Sequence, residues 1–375
     1  MDVRLNEDQL MFQDMTRRFL EDRAPIGALR KLADAGESLD PAAWREGAEQ
    51  GWVALFVPEA EGGMAESAQG VIDAAVVAEE LGRVVHSGPF LSSCVVADAI
   101  ARAGSADQRS QWLPGLASGE ILAAWCYAGS GVNAGIEPGG VRAERQGDQV
   151  VLSGTARHVI DAECADLLLV SALDGEGLSQ FLLPAGTPGV TVTPLEPLDL
   201  GRRIADVAFD AVRVNVTAGL GAAGEAADQF ERQVQGALSL ICAETVGVVD
   251  RAFEITLEWV NQRHAFNPPI GSFQALKHRL ADHAAQAEGA KAAAAHAARA
   301  VQEGAEDAAI AVSVAKSHCT RWAVEIIRDF VQMHGGIGVT WDHDIHFYLR
   351  RACSNEMMLG TPAAHHERLC RLAGL

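Results

Sequence analysis

Gly219-Leu-Gly-Ala-Ala-Gly224 satisfies the GxGxxG spacing with which a backbone closes on a dinucleotide pyrophosphate, and it follows the strand-like run Val212 to Val216. A dinucleotide fold also needs a parallel strand with an acidic residue soon after the helix that such glycines open. Here the helical pattern runs on past residue 255, so the glycines read as a linker between domains. Histidines are the second group with chemistry to offer, notably His343, His346 and the adjacent His365 and His366. No HExxH occurs, and His343 and His346 flank Asp344 in a charge-rich helix start, so solvated histidines and no metal are expected. The seven cysteines, from Cys94 to Cys370, contain no CxxC pair and fit reduced thiols better than a disulfide framework.

The elements that must position any site fall into three rhythms. From Asn6 to about Ser118, apolar residues recur at three and four, as in Leu10, Met11, Met15, Phe19 and again from Val71 to Leu81. Breaks at Pro58 to Gly63 and at Ser87 to Pro89 divide this part into short helices. Near Glu120 the pattern changes to short aliphatic and β-branched runs, at 150–152, 167–170, 181–183, 190–192 and 207–209, separated by glycine-rich turns. That spacing predicts an antiparallel sheet. After Gly224 the helical period returns, and Phe230, Val234, Ala237, Ile241, Thr245, Val248, Ala252, Ile255 and Trp259 form one apolar stripe interrupted by Glu244. Helices that long predict a four-helix bundle and an oligomer interface. The expected fold is α+β, with an N-terminal helical domain over 1–119, a central antiparallel β-domain over 120–218 and a C-terminal bundle over 225–375.

Composition bounds the partners. The chain has 375 residues, more than one core usually organises, and 49% of them are hydrophobic. A formal net charge of −20 argues against a nucleic-acid surface and against anionic lipid, while leaving room for local cations that hold a nucleotide. The N-terminal stretch is acidic where a secretion signal is basic, and no apolar run is long enough to span a bilayer, so a cytoplasmic protein is expected.

Two segments carry more information than the rest: Trp259 to Asp282, WVNQRHAFNPPIGSFQALKHRLAD, and Phe330 to Thr340, FVQMHGGIGVT. Both resemble the C-terminal domain of the acyl-CoA dehydrogenases, where the first reads Arg-x-x-Phe-Gly-x-Pro-Ile-x-x-x-Gln and the second Gln-x-x-Gly-Gly-x-Gly. The helix, β, helix order matches that family, and Gly51 to Gly63 resembles its passage from helix to loop in the N-terminal domain. The resemblance implies FAD as cofactor, an acyl-CoA substrate desaturated at its α,β bond, an electron-transfer protein as redox partner, and a homo- or hetero-oligomer. It implies that Arg263 pairs with the FAD pyrophosphate, that Gln332 bonds the adenosine half, and that Gly335 and Gly336 let the backbone approach a phosphate. Phe266, Gln274, His158 and Thr361 fall at further cofactor-binding positions. In that family the segment reaches a neighbouring subunit's flavin.

Departures from the pattern concern the reacting end. Cys126 to Gly140 loses the family's Thr-Glu-Pro-Gly-Ala-Gly-Ser-Asp signature, and a residue that usually carries a hydroxyl beside the flavin is Ile160. The reaction needs a carboxylate base. The usual Glu-Gly-Thr is Leu359-Gly360-Thr361, and the alternative position near the start of the first long C-terminal helix is Ala237. Glu244, seven residues on and on the same helical face, is the nearest replacement, about 10 Å further along the axis. Three readings follow: a self-sufficient dehydrogenase using Glu244 as base, a non-catalytic or half-catalytic subunit of a heteromeric dehydrogenase, and a flavin-free binding scaffold. Arg368 and Arg371 are cations suited to a CoA 3'-phosphate.

Overall fold

The structure is a computed structural model and describes residues 5–37, 39–65, 70–129 and 136–375. Six helices open the chain: α1 (Glu7–Arg23), α2 (Ile26–Ala35), α3 (Pro41–Glu49), α4 (Val71–Arg83), α5 (Phe90–Ala103) and α6 (Ala106–Ala117). Their starts follow capping chemistry. Asn6 with Gln9, and Ser105 with Gln108, form reciprocal capping boxes that satisfy donors left free in the first turn.

Seven strands follow: β1 (Ala123–Cys126), β2 (Val141–Gln146), β3 (Gln149–Ile160), β4 (Leu167–Leu173), β5 (Leu178–Pro184), β6 (Val190–Pro194) and β7 (Ile204–Asn215). The strand runs expected from the sequence all lie within β3 to β7. The sheet is mixed rather than purely antiparallel: β6, β7, β3 and β2 pair antiparallel, β4 pairs antiparallel with β5, and β4 runs parallel to β1 and to the start of β2. The parallel pairing arises because β1 enters directly from α6 alongside β4. Both of those strands are covered on both faces, as parallel strands require.

The glycines at 219–224 form the turn into the next helix, and no parallel strand follows them. The C-terminal part comprises α7 (Ala227–Gln262), α8 (Gln274–Glu303), α9 (Ala308–His334), α10 (Ile345–Met357) and α11 (Pro362–Leu372). The N-terminal helices do not keep a core of their own. Trp52, Val77 and Ile100 share one hydrophobic cluster with Leu238, Ile241 and Ala297 of the long helices, and the sheet has a separate one around Leu152, Leu168 and Val207. No helix among the described residues is long and apolar enough to cross a membrane.

The two helical parts lock where α4 crosses α7. A Cβ on Gly247 would lie 1.8 Å from the Glu79 carbonyl oxygen, and one on Gly82 would lie 2.1 Å from that of Glu244. Backbone therefore rests on backbone, which fixes the height of α7 against the rest. We expect Gly247→Ala to destabilise the protein by about 1–3 kcal/mol through overpacking. Gly236→Ala, at a position of the same helix with no atom within 4 Å of an added Cβ, should be neutral or stabilise by up to about 1 kcal/mol. Urea denaturation of the two variants checks the contrast; equal effects would deny the crossing its role.

Candidate active site

A cavity of about 510 Å³ opens between α5, the sheet, α7 and the end of α10, with Trp125, Tyr127, His158, Ala237 and Leu359 in its walls. Three local features shape it. The β3 to β7 register slips between Ala156 and Val159, and His158 sits in that bulge with φ +53°. Its backbone N–H donates to Asp206 Oδ1 at 3.1 Å, while Arg157 pairs with the same carboxylate. The bulge re-aims His158 toward the cavity, beside Ile160.

At the opposite wall, α10 ends and the chain turns into α11 through Met358, Leu359 and Gly360. Leu359 is 5% exposed and has φ +52°, a conformation costing a non-glycine residue about 1–3 kcal/mol. Its carbonyl lies 2.9 Å from His365 Nε2. A carbonyl only accepts, so Nε2 carries the proton; burial pushes the ring down to about 4 and keeps it neutral. Thr361 does not line the cavity. Its hydroxyl instead caps α11, accepting from the Ala364 N–H at 3.3 Å.

Behind this wall lies a cluster of ion pairs. Arg351, fully buried on α10, donates to Asp199, to Glu244 Oε1 at 2.6 Å and to the His86 carbonyl at 3.1 Å. Arg202 donates to the other oxygen of Glu244 and to Asn355 Oδ1 at 2.9 Å. Glu244 and Arg202 face a separate space of about 30 Å³, together with His86 and Asp161. Burial pushes the Asp161 carboxyl up, opposed by the Ser92 hydroxyl at 2.6 Å and by Arg202; burial and Arg351 hold His86 down to about 4.

A second set of residues gathers at the far end of α7. Arg263 ends that helix, and the chain folds back on itself: Phe266 and Asn267 have φ +52° and +88°, and the Ile270 N–H donates to the Arg263 carbonyl at 2.8 Å. Phe266 is 94% exposed. Trp259 Nε1 donates to the Met333 carbonyl at 3.2 Å and so joins this end of α7 to the end of α9, where Gln332, Gly335 and Gly336 lie. Gln274 stands exposed at the start of α8. Arg263 follows Ala237 by 26 positions of one helix, about 39 Å at 1.5 Å per residue.

Comparison with known proteins gives the family. The acyl-CoA dehydrogenase N-terminal domain family matches residues 6–120, and the acyl-CoA dehydrogenase C-terminal domain family matches residues 239–372. Acyl-CoA dehydrogenase FadE27 of Mycobacterium tuberculosis is 30% identical over 360 residues, covering 91% of this chain and 90% of its own. The chain belongs to the acyl-CoA dehydrogenase family. Among solved structures, the Tcur3481-Tcur3483 steroid ACAD (G363A variant) is 31% identical with a TM-score of 0.88, with 98% of each chain covered. The ChsE4-ChsE5 complex of Mycobacterium tuberculosis is 28% identical with a TM-score of 0.89, covering 100% of this chain and 99% of that one.

Within this acyl-CoA dehydrogenase chain, both positions at which the sequence led us to look for a carboxylate, 359 and 237, lie on the one cavity, and both are apolar. Glu244 does not line that cavity: each of its oxygens is held by a guanidinium. Among the described residues the only carboxylate in the cavity wall is Asp199, which Arg351 engages and which also accepts from the Gly201 N–H at 3.0 Å. Of the expected cofactor residues, His158 faces the cavity, while Arg263, Phe266, Gln274, Gln332, Gly335 and Gly336 form the distant set. Arg368 is paired with Glu231 and Arg371 with Glu137 at 3.4 Å. Within 126–140, residues 130–135 lie outside the described residues. No group of metal ligands occurs among the described residues. Sequence reasoning missed Arg351, Asp199 and Arg202; the one available signal was the charge pair at 350–351 inside an otherwise amphipathic helix. Glu244→Leu leaves the buried Arg351 and its neighbour Arg202 each with one carboxylate fewer, so we expect a loss of about 3 kcal/mol or more. Urea denaturation measures it, and a change under about 0.5 kcal/mol would mean the network contributes nothing.

Proposed function

We propose that this chain is one subunit of a two-subunit, FAD-dependent acyl-CoA dehydrogenase, binding cofactor and shaping the oligomer while a related partner supplies the catalytic carboxylate. Desaturation needs an ionised carboxylate facing the α-carbon of the thioester; FAD, when bound, accepts the β-hydrogen as hydride. The observation that carries the reading is the apolar pair Ala237 and Leu359 on the cavity wall. Neither side chain accepts a proton, and the carboxylates nearby, Glu244 and Asp199, are committed to Arg202 and Arg351.

The distant set fits the pyrophosphate and adenosine half of FAD. Arg263 has no ion-pair partner among the described residues, its guanidinium lying 6.0 Å from the Trp259 ring centroid. Gly335 has φ +66° and ψ −145°, which favours glycine, and a Cβ on Gly335 or Gly336 would meet nothing within 4 Å. These residues stand open to an anionic ligand. They are also further from this chain's cavity than one extended dinucleotide reaches, so the flavin they hold has its ring in another subunit. The names of the Tcur3481-Tcur3483 enzyme and the ChsE4-ChsE5 complex each pair two proteins, which supports a heteromer. The steroid in the first, and the apolar walls of this cavity, favour a bulky acyl group as substrate. Electrons then pass to an electron-transfer protein.

The test is desaturation of acyl-CoA thioesters, steroid side-chain thioesters included, with an artificial electron acceptor. The chain expressed alone should show no turnover, and activity should appear on adding a related subunit that keeps the carboxylate. Turnover by the chain alone would overturn the reading. Leu359→Glu, which returns a carboxylate to the wall, tests the same point from the other side: where flavin is bound, it should bring turnover by the chain alone above background.

A further inference from the structure

Lys316 lies fully buried on α9, among the thiols of Cys242 and Cys319. A methionine would fill the same space without taking an ammonium out of water, which is costly. What the ammonium adds is two donors: Nζ donates to the Glu356 carbonyl at 3.0 Å and to the Gly360 carbonyl at 2.7 Å. Those carbonyls belong to the end of α10 and the turn after it, where helical partners run out and the helix dipole favours a cation. Between them stand Met357, Met358 and Leu359, three consecutive residues of the cavity wall. From the other side, His365 donates to the carbonyl of Leu359. The turn so held keeps Leu359 in a left-handed conformation that a free chain would leave.

We infer that Lys316 is a positioning residue for the cavity: it pins the turn from α10 to α11 and so sets where Met357, Met358 and Leu359 stand along the wall. The inference takes the cavity as the ligand site, as proposed above, but concerns its geometry rather than its chemistry. It predicts a local effect. In Lys316→Met, the side chain keeps its length and loses its donors, so the wall should loosen while the α4 to α7 crossing stays as it was.

The test is hydrogen exchange of the full chain, read peptide by peptide, and it requires neither flavin nor substrate, so it stands or falls apart from the proposed activity. In Lys316→Met, amides at 357–361 should exchange at least about tenfold faster, with α4 and the middle of α7 unchanged. A folded variant with unchanged exchange at 357–361, or one loosened uniformly, would overturn the inference. Should the variant fail to fold, the wild-type protein supplies the second measurement. Burial holds the Lys316 ammonium down to about 8, with Cys242 from α7, Cys319 on α9 and Glu356 from α10 acting on it and the His365 ring of α11 beside it. Deprotonation leaves two N–H donors but removes the charge that strengthens both bonds, so exchange at 357–361 should accelerate through that pH beyond the ordinary base-catalysed rise, in a Cys242→Ala background as well; a rise no steeper than elsewhere would refute it.

Discussion

The buried guanidinium of Arg351 is the constraint around which the inner wall of this protein is arranged. A charge at that depth is tolerable only where acceptors surround it. They come from separate parts of the chain: Asp199 before β7, Glu244 on α7 and the His86 carbonyl after α4. Satisfying Arg351 therefore joins the sheet, the long helices and the N-terminal helices at one point. It also engages Asp199, the one carboxylate in the cavity wall among the described residues.

On that frame the cavity and the residues around Arg263 stand toward opposite ends of α7. At one end lies the cavity, with the His158 bulge and the Leu359 turn in its walls and apolar residues at 237 and 359. At the other, Arg263, Gln332 and the paired glycines remain open. A helix of 36 residues keeps the two apart. In the proposed two-subunit enzyme both regions have a use.

Much of this was legible in the sequence because periodicity reports on local geometry. The stripe from Phe230 to Trp259 is one unbroken helix, and the strand runs from Val150 to Phe209 each lie within a strand. The apolar pair at 237 and 359 was legible through motif spacing, which also placed His158. β1 was not legible, because Ala123 to Cys126 is buried on both faces and so lacks the alternation that marks a strand; with it went the mixed character of the sheet. The partners of Arg351 were not legible either. Asp199 and Glu244 lie 152 and 107 positions away, and nothing local chooses them. Glu244 invited a catalytic reading because it broke an apolar stripe, yet it faces a tertiary ion pair rather than the cavity.

The most direct measurement is the flavin content and visible spectrum of the purified chain, alone and titrated with acyl-CoA. A chain that depends on a partner for its active site should carry well under one FAD and show no bleaching of the flavin band by substrate. One FAD per chain, bleached on adding acyl-CoA without any second subunit, would contradict it.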